Sequence, residues 1–302
     1  MLLNAVNVSK KYGEKKALDS VSLDVREGEI FGLFGPNGAG KTTFIRVCTG
    51  ITQFYGGHLT VCGVDVRRRP KDVRNFVSIL TEEPKLYGYM TPFEYLRFFS
   101  GLACIKEPEK YVDEVLRIVE IENKKNEKIY TLSLGQRQRI EIARVFLSPS
   151  YLLFLDEPFG NIDIELRKKL RDYLKLWVGK DKAIFYTSHN LIESEYIVDR
   201  FALICNGRII LIGNAKELKE KYLQPTYFIE TKEKEKAENC LSVYDWIEKV
   251  EKIDDGIKIF LRQKENAKFI PKILLNAKVD FYEMKALGTI EDVFTEMMTD
   301  RR

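Results

Sequence analysis

The chain has 302 residues, of which 45% are hydrophobic and 31% are charged. Because a single domain typically holds ~100 to 200 residues, this length predicts two domains, each able to bury a core. The composition excludes a fibrous or intrinsically disordered protein. A net charge of only +4 gives little support to a surface for nucleic acid or for an anionic membrane.

The five cysteines are scattered along the chain and never take the C-x-x-C spacing. This pattern predicts neither a disulfide framework nor a zinc site, and each cysteine is best interpreted as a small core residue in a reducing compartment. No stretch approaches the ~18 apolar residues of a membrane-spanning helix, and the N-terminal residues lack the pattern of a leader peptide. We therefore expect a cytoplasmic chain that needs a partner for any role at a membrane.

The first part of the chain combines an antiparallel β region with a strand and a helix around a glycine-rich loop. Residues 2–26 alternate apolar and polar positions on either side of a turn at Tyr12-Gly13-Glu14, which is typical of paired antiparallel strands. An apolar run from Glu29 to Phe34 then predicts a strand, and Thr42 to Cys48 predicts a helix. The loop between them is therefore a strand-to-helix connection.

This loop matches G-x-x-x-x-G-K-[ST], a motif that cradles phosphates. Its residues are Gly35, Pro36, Asn37, Gly38, Ala39, Gly40, Lys41, Thr42 and Thr43. Glycines let successive backbone N–H groups turn towards a phosphate, and the following helix adds its positive end. Lys41 is predicted to reach the β- and γ-phosphates, and Thr42 to bind Mg²⁺ through its hydroxyl. The loop thus predicts a site for a nucleoside triphosphate with Mg²⁺.

Further strands and helices alternate after the loop. Apolar residues at helical spacing between Pro92 and Asn123 predict a helical insertion, which we place at about residues 85–145. The Asn206-Gly207 pair between apolar runs predicts a β-hairpin. Strands alternating with helices around a phosphate loop predict an α/β fold with a largely parallel sheet covered by helices on both faces.

Two adjacent carboxylates, Asp156 and Glu157, follow the continuous apolar run from Tyr151 to Leu155. Such a run is typical of a strand buried on both faces, and its carboxyl end should point into the phosphate crevice. Asp156 is then placed to hold Mg²⁺ through water, and Glu157 to polarise an attacking water.

A second predicted anion site precedes this strand. The residues from Thr131 to Arg139 open a helical run, and Ser133 and Gly135 stand at its amino terminus. A single chain does not need two phosphate-binding sites for the γ-phosphate of one nucleotide. We therefore expect the second cradle to serve a nucleotide bound by another copy.

The last part of the chain is predicted to form a separate domain. Pro225 marks the boundary between a domain at 1–222 and an accessory domain at 226–302. The order strand, helix, strand, strand, helix, strand, helix predicts a small α+β domain of ferredoxin-like character.

Taken together, these motifs resemble the ATP-binding subunit of an ABC transporter, and they occur in family order over about residues 1–220. The resemblance implies a P-loop NTPase with a RecA-like core. It assigns residues 35–43 to the Walker A loop, Asp156 to Mg²⁺ and Glu157 to catalysis together with Lys41. The other residues that it implies are Tyr12 for stacking on adenine, Ser133, Gly135 and Gln136 for ATP on the opposing subunit, Asp163 for the loop linking the two sites, and His189 for sensing the γ-phosphate.

Three positions depart from the family pattern. Glu82 stands where a metal-linked glutamine is usual, and its added charge would change metal affinity and pH response. Leu134 replaces the first signature glycine, and the loop from Phe159 to Asp163 has an unusual form. These departures suggest the hypothesis that one of two composite ATP sites is weak.

The resemblance also implies partners. It predicts an ATPase with ATP and Mg²⁺ that pairs with a second ATPase subunit, identical or different, and drives separate integral-membrane permease subunits from the inner face of the cell membrane. The segment from Leu287 to Phe294 resembles the tail of exporter-type subunits. The aromatic group between Tyr87 and Phe99 is interpreted either as helical core or as a groove for a cytoplasmic helix of the permease.

Two other functions stay open from the sequence. One is a soluble ABC-type ATPase that acts on DNA or ribosomes, although the chain has neither a long coiled-coil insertion nor a second cassette, and we expect no nucleic-acid partner. The other is a regulatory subunit that binds ATP but hydrolyses little of it, for which Glu82 and Leu134 are the motivation.

Overall fold

The computed structural model describes residues 1–191 and 195–299. The chain divides into two compact units, Met1–Gly213 and Asn214–Arg302. The helix Ala215–Tyr222, which the sequence placed in the first domain, belongs to the second unit. This helix contacts the helix Ile290–Thr299 of the same unit, and the division between the units lies before it.

The first unit contains two sheets. Its strands are β1 (Leu3–Tyr12), β2 (Lys15–Val25), β3 (Ile30–Phe34), β4 (Gly56–Val61), β5 (Val64–Asp65), β6 (Val77–Leu80), β7 (Leu152–Asp156), β8 (Ala183–Ser188), β9 (Arg200–Cys205) and β10 (Arg208–Gly213). Strands β1, β2, β4 and β5 form the predicted antiparallel region, in the order β2-β1-β4-β5. The predicted turn at Tyr12-Gly13-Glu14 joins β1 to β2, and Gly13 has a positive φ of 56°.

The second sheet has the order β10-β9-β3-β8-β7-β6. Strands β9, β3, β8, β7 and β6 are parallel, and β10 pairs antiparallel with β9. Every residue of β3, β7 and β8 is buried, which explains why their sequences are apolar without alternation. The β9–β10 hairpin turns at Asn206 and Gly207, both of which have positive φ, as the sequence predicted.

Helices surround this sheet and form the insertion. They are α1 (Lys41–Cys48), α2 (Pro92–Leu102), α3 (Pro108–Ile118), α4 (Leu134–Leu147) and α5 (Ile164–Val178), with short 3₁₀ turns at Asp72–Asn75, Glu122–Lys124 and Ile129–Thr131. Thr91 begins α2 with a capping box in which Glu94 is the reciprocal partner. Helices α2, α3 and α4 pack on one another as the predicted helical insertion.

The second unit has a four-stranded antiparallel sheet. Its strands are β11 (Thr226–Glu230), β12 (Ile247–Ile253), β13 (Gly256–Leu261) and β14 (Glu283–Leu287), and its helices are α6 (Ala215–Tyr222), α7 (Lys234–Leu241), α8 (Ile270–Asn276) and α9 (Ile290–Thr299), with a 3₁₀ turn at Lys264–Phe269. The order β12-β13-β11-β14 is that of a split βαβ unit, so the ferredoxin-like topology is confirmed.

One predicted strand of this unit was misplaced. The sequence predicted a strand from Val279 to Lys285, but β14 begins only at Glu283. After α8 ends, Lys278 takes a left-handed φ of 54°, and Val279 donates its backbone N–H to the carbonyl of Leu274. Val279 is buried by this helix cap rather than by strand pairing, which is why its apolar character was misleading.

Within the part of the chain that the structure describes, no helix has the length and apolar character required to cross a membrane.

Candidate active site

The candidate site lies at the carboxyl ends of β3 and β7 in the parallel sheet. A cavity of about 400 Å³ opens there, lined by Tyr12, Lys15, Ala17, Asn37, Gly38, Ala39, Gly40, Lys41, Thr42, Thr43, Glu82, Asp156 and Glu157. Crevices at this edge of open α/β sheets are where ligands bind. The predicted phosphate loop and the predicted carboxylates thus share one cavity.

The loop before α1 has the backbone form of a phosphate cradle. Gly40, immediately before the helix, has a φ of 116°, and a Cβ at this position would lie 2.6 Å from the carbonyl oxygen of Ala17. Only glycine fits both conditions. The N–H groups of the first turn of α1 therefore face the cavity unobstructed, where they can bind an anion.

Lys41 is the buried cation of the loop, with 7% of its surface exposed. Its Nζ donates to the carbonyl of Gly35 at 2.7 Å and lies 3.6 Å from Oε1 of Glu157. These contacts hold the ammonium group at the wall of the cavity. A buried, positioned ammonium is suited to neutralise phosphate charge.

Asp156, at the end of β7, contacts both strand β8 and helix α1. Its Oδ2 accepts a hydrogen bond from Thr42 at 2.7 Å, and its Oδ1 accepts one from Thr187, at the end of β8, at 2.6 Å. Both threonine hydroxyls fix the rotamer of a carboxylate that is 3% exposed. Thr42, Asp156 and Glu82 supply only oxygen donors to the cavity, so this is where a hard cation could be held.

Glu157 is held in a strained backbone conformation. Its φ is 49°, and its backbone N–H donates to the carbonyl of Thr187 at 3.2 Å. Non-glycine residues in this region cost free energy and cluster at functional sites. The Nδ1 atom of His189 lies 3.0 Å from Oε1, yet Oε1 accepts no well-aligned hydrogen bond from the described residues. A buried carboxylate oxygen is thus left to accept a proton from another molecule.

Ser133, Gly135 and Gln136 do not line this cavity among the described residues. Ser133 begins α4 with a capping box, in which its Oγ accepts from the N–H of Gln136 at 3.2 Å and its own N–H donates to Oε1 of Gln136 at 2.9 Å. Leu134, beside them, is 54% exposed. The helix start is therefore formed and open to solvent, as a surface for a second molecule requires.

Asp163 also lies outside the cavity, at the start of α5. It accepts the N–H of Leu166 at 3.0 Å and the guanidinium of Arg139 at 2.6 Å. The backbone hydrogen bond of Leu166, helped by the charge of Arg139, lowers the pKa of Asp163 below its usual value. Its carboxylate therefore stays ionised and fixes the loop before α5 to helix α4.

The structure thus sorts the predicted residues into two groups. One group is at the cavity: Tyr12, residues 37–43, Glu82, Asp156 and Glu157 line it, Gly35 and Pro36 precede the lining part of the loop, and His189 contacts Glu157. The other group is Ser133, Gly135 and Gln136 at the start of α4, with Asp163 at the start of α5 bound to α4 through Arg139. The sequence reasoning missed Thr187 and Lys15. Thr187 could have been found as a polar residue near the carboxyl end of the buried strand beside β7, whereas no signal marked Lys15.

Comparison with known proteins identifies the family. The family model described as ABC transporter matches residues 18–160. YhcH of Bacillus subtilis, an uncharacterized ABC transporter ATP-binding protein, is 32% identical over 98% of this chain and 95% of its own length. The bacitracin transport ATP-binding protein BcrA of Bacillus licheniformis is 28% identical over 98% of this chain and 97% of its own length.

Two further comparisons cover about three quarters of this chain. The Nod factor export ATP-binding protein I of Cupriavidus pinatubonensis is 32% identical over 72% of this chain and 67% of its own length. A solved structure of the ATP-binding subunit of an ABC transporter superposes with a TM-score of 0.69 and 27% identity, covering 74% of this chain and 93% of that one. The chain therefore belongs to the family of ABC transporter ATP-binding proteins, whose members bind and hydrolyse ATP.

Proposed function

We propose that this chain hydrolyses ATP within a dimer of ATPase subunits and so drives separate integral-membrane permease subunits, in the direction of export. The observation that carries the proposal is the buried Oε1 of Glu157, which lies between His189 and the charged Lys41 at the phosphate loop but accepts no well-aligned hydrogen bond from the described residues. A carboxylate oxygen in this position is suited to take a proton from water.

The residues at the cavity would each have a different role in binding and hydrolysing ATP. Tyr12 is 46% exposed at the mouth of the cavity, where its ring would stack on adenine. Lys41 and the N–H groups of the loop would bind the phosphates. Glu157 would accept a proton as the water oxygen bonds to the γ-phosphorus and the bond to the bridging oxygen breaks, with His189 holding the carboxylate in place.

The donor set also fits a magnesium ion. Mg²⁺ is commonly bound by one or two protein oxygens together with substrate phosphates, and Thr42, Asp156 and Glu82 offer such oxygens. When bound, the ion would neutralise charge on the phosphate oxygens. The buried hydrogen bonds of Thr42 and Thr187 would keep the carboxylate of Asp156 oriented for that role.

The dimer follows from the position of the second group. Ser133, Gly135 and Gln136 lie at a formed helix start that is open to solvent and does not line the cavity. Helix starts of this kind attract anions, so this one would bind the phosphates of ATP held by another ATPase subunit, identical or different. Each subunit would then close on the other when ATP binds and separate after hydrolysis.

A surface groove supports the permease partner. A second cavity of about 360 Å³ lies beside the helical insertion and is lined by apolar and basic residues that include Phe99, Leu102 and Arg144. Nearby Tyr89 is 88% exposed, whereas Tyr95 is buried. The aromatic group is therefore part core and part surface, and its exposed part would receive a cytoplasmic helix of the permease, holding the chain at the inner face of the membrane.

Export is supported by the second unit and by one relative. The segment from Leu287 to Phe294, which resembles the tail of exporter-type subunits, spans the end of β14 and the start of α9. The Nod factor export ATP-binding protein is 32% identical over 72% of this chain. Copurification of the chain with a polytopic membrane protein, followed by transport measurements in vesicles, would test both the partner and the direction.

The catalytic part is tested by Glu157→Gln, with Glu165→Gln at an exposed position of helix α5 as the control. We expect Glu157→Gln to lower the turnover of ATP by about 10²- to 10⁴-fold, the usual contribution of a general base, while ATP affinity is retained. Size-exclusion chromatography should show that this variant stays dimeric with ATP. Undiminished turnover in Glu157→Gln would refute the mechanism.

A further inference from the structure

One buried side chain near the site has an unmet hydrogen-bonding group. Gln138, on helix α4, is 1% exposed, and its Nε2 donates to the carbonyl of Pro158 at 3.1 Å. Its Oε1 accepts no hydrogen bond from the described residues although it is buried. Burying an unpaired amide oxygen costs free energy, so an apolar side chain would be the better choice if packing were the only demand.

The group that Gln138 holds is adjacent to the proposed general base. Pro158 directly follows Glu157, whose backbone is left-handed with a φ of 49°. The carbonyl that Gln138 binds lies on the residue after Glu157, and the proline ring fixes the φ angle between them, so a shift of this carbonyl can be passed to the backbone of Glu157. Gln138 therefore contacts the loop at the residue next to the one that carries the carboxylate.

Two further contacts join helix α4 to the same loop. A Cβ on Gly135 would lie 2.6 Å from the carbonyl oxygen of Asn161, so the helix start and the loop are in close contact there. Arg139 binds the carboxylate of Asp163 at 2.6 Å. Together with Gln138, these contacts fix the start of α4 to residues 157–163 at three successive places, and the two elements are expected to move together.

We propose that Gln138 is a positioning residue that couples the two ATP sites of the dimer. This inference rests on the proposed function, in which residues 133–136 bind the ATP of the partner subunit and Glu157 acts on the ATP of its own subunit. Occupation of the helix start by the partner's ATP shifts α4, and Gln138 passes that shift to the Pro158 carbonyl. In the shifted state Oε1 of Gln138, which accepts no hydrogen bond from the described residues, is available to accept one.

The experiment compares Gln138→Met with Arg137→Met in the full-length chain. Methionine has nearly the same volume as glutamine but cannot donate to Pro158. Arg137 is the matched control, because its guanidinium donates only to Leu132 and Tyr130 among its described partners and so stays within its own segment. ATP hydrolysis is measured over a range of ATP concentrations, and ATP affinity is measured separately with a fluorescent nucleotide.

We expect cooperative hydrolysis in the unmodified chain, with a Hill coefficient above one. In Gln138→Met the coefficient should fall to about one and kcat should fall by roughly threefold to tenfold, the effect of one hydrogen bond, with ATP affinity unchanged. Arg137→Met should keep the cooperativity even if its melting temperature falls. If Gln138→Met does not fold, Gln138→Leu provides the same comparison.

The possible results of these experiments distinguish a failure of the coupling from a failure of the proposed function. A Gln138→Met variant that keeps the Hill coefficient of the unmodified chain would overturn the coupling, as would an equal loss of cooperativity in Arg137→Met. By contrast, an unmodified chain that hydrolyses no ATP, or whose Glu157→Gln variant stays monomeric with ATP, would overturn the proposed function itself.

Discussion

The hydrogen-bonded group of Tyr95, Glu141 and Arg144 is a buried polar network that joins helix α2 to helix α4. The hydroxyl of Tyr95 donates to Oε1 of Glu141 at 2.5 Å, and Arg144 donates to Oε2 at 2.8 Å and to the carbonyl of Ile79 at 2.8 Å. Burial, reinforced by the Glu141 carboxylate, raises the pKa of Tyr95, so its hydroxyl remains a donor. The Glu141 carboxylate is 4% exposed and depends on these donors.

The predicted costs follow from this geometry. Tyr95→Phe removes one hydrogen bond to a charged acceptor while Arg144 stays in place, so the free energy of unfolding should fall by about 1.5 to 3 kcal/mol. Arg144→Met leaves a buried carboxylate without its counter-charge and should cost about 3 to 5 kcal/mol. Adding Glu141→Gln to Arg144→Met neutralises that carboxylate and should recover part of the loss.

Urea unfolding followed by tryptophan fluorescence measures these differences. The chain has two tryptophans, Trp177 in the first unit and Trp246 in the second. A Trp246→Phe background therefore leaves Trp177 as the reporter of the unit that contains the network. If Arg144→Met with Glu141→Gln is no more stable than Arg144→Met alone, the uncompensated charge is not the cause of the loss and the reasoning is refuted.

Two further predictions concern ionisation. Burial acts to raise the pKa of Asp24, but hydrogen bonds from Arg200 outweigh it, so the pKa lies below the ordinary value of 3.8. The stability that this ion pair contributes is fully present above the unfolded-state pKa of Asp24 and is lost as pH falls through its folded-state pKa. In urea unfolding, Arg200→Met should therefore be less stable than the unmodified chain at about pH 6, and this difference in unfolding free energy should shrink towards about pH 3. A constant difference would contradict this. Burial also raises the pKa of Cys62 to about 11, so mass spectrometry at about pH 8 should show iodoacetamide modifying exposed Cys104 well before Cys62; equal rates would argue against it.

Some residues of the candidate site could be predicted from the sequence around them, and others are brought to it only by folding. The loop before α1 could be predicted to bind phosphate because such binding depends on the backbone of consecutive residues, and the glycines that permit this backbone are visible in the sequence. Asp156 and Glu157 could be placed because a buried parallel strand ends at a known edge of the sheet. The roles assigned to Tyr12, Glu82 and His189 stay predictions, although the structure places all three at or beside the cavity.

Other features had no local signal. Thr187 meets Asp156 only because β8 pairs with β7, although 31 residues separate them in the chain. Gln138 meets Pro158 across 20 residues, and its unpaired oxygen becomes evident only when burial is known. The strand predicted near Val279 was misplaced for the same reason, the lack of a local signal, because an apolar residue can be buried either by a helix cap or by a strand.

The sequence by itself determined the fold class, the phosphate loop, the carboxylates that follow β7 and the ferredoxin-like order of the second unit. These features depend on periodicity, on glycine positions and on the order of elements, all of which are local or sequential properties. Only the tertiary structure decided that the cavity and the start of α4 are separate surfaces, and that Gln138, Gly135 and Arg139 connect α4 to the active-site loop. Contacts between residues distant in the chain arise from packing, which no single stretch of sequence specifies.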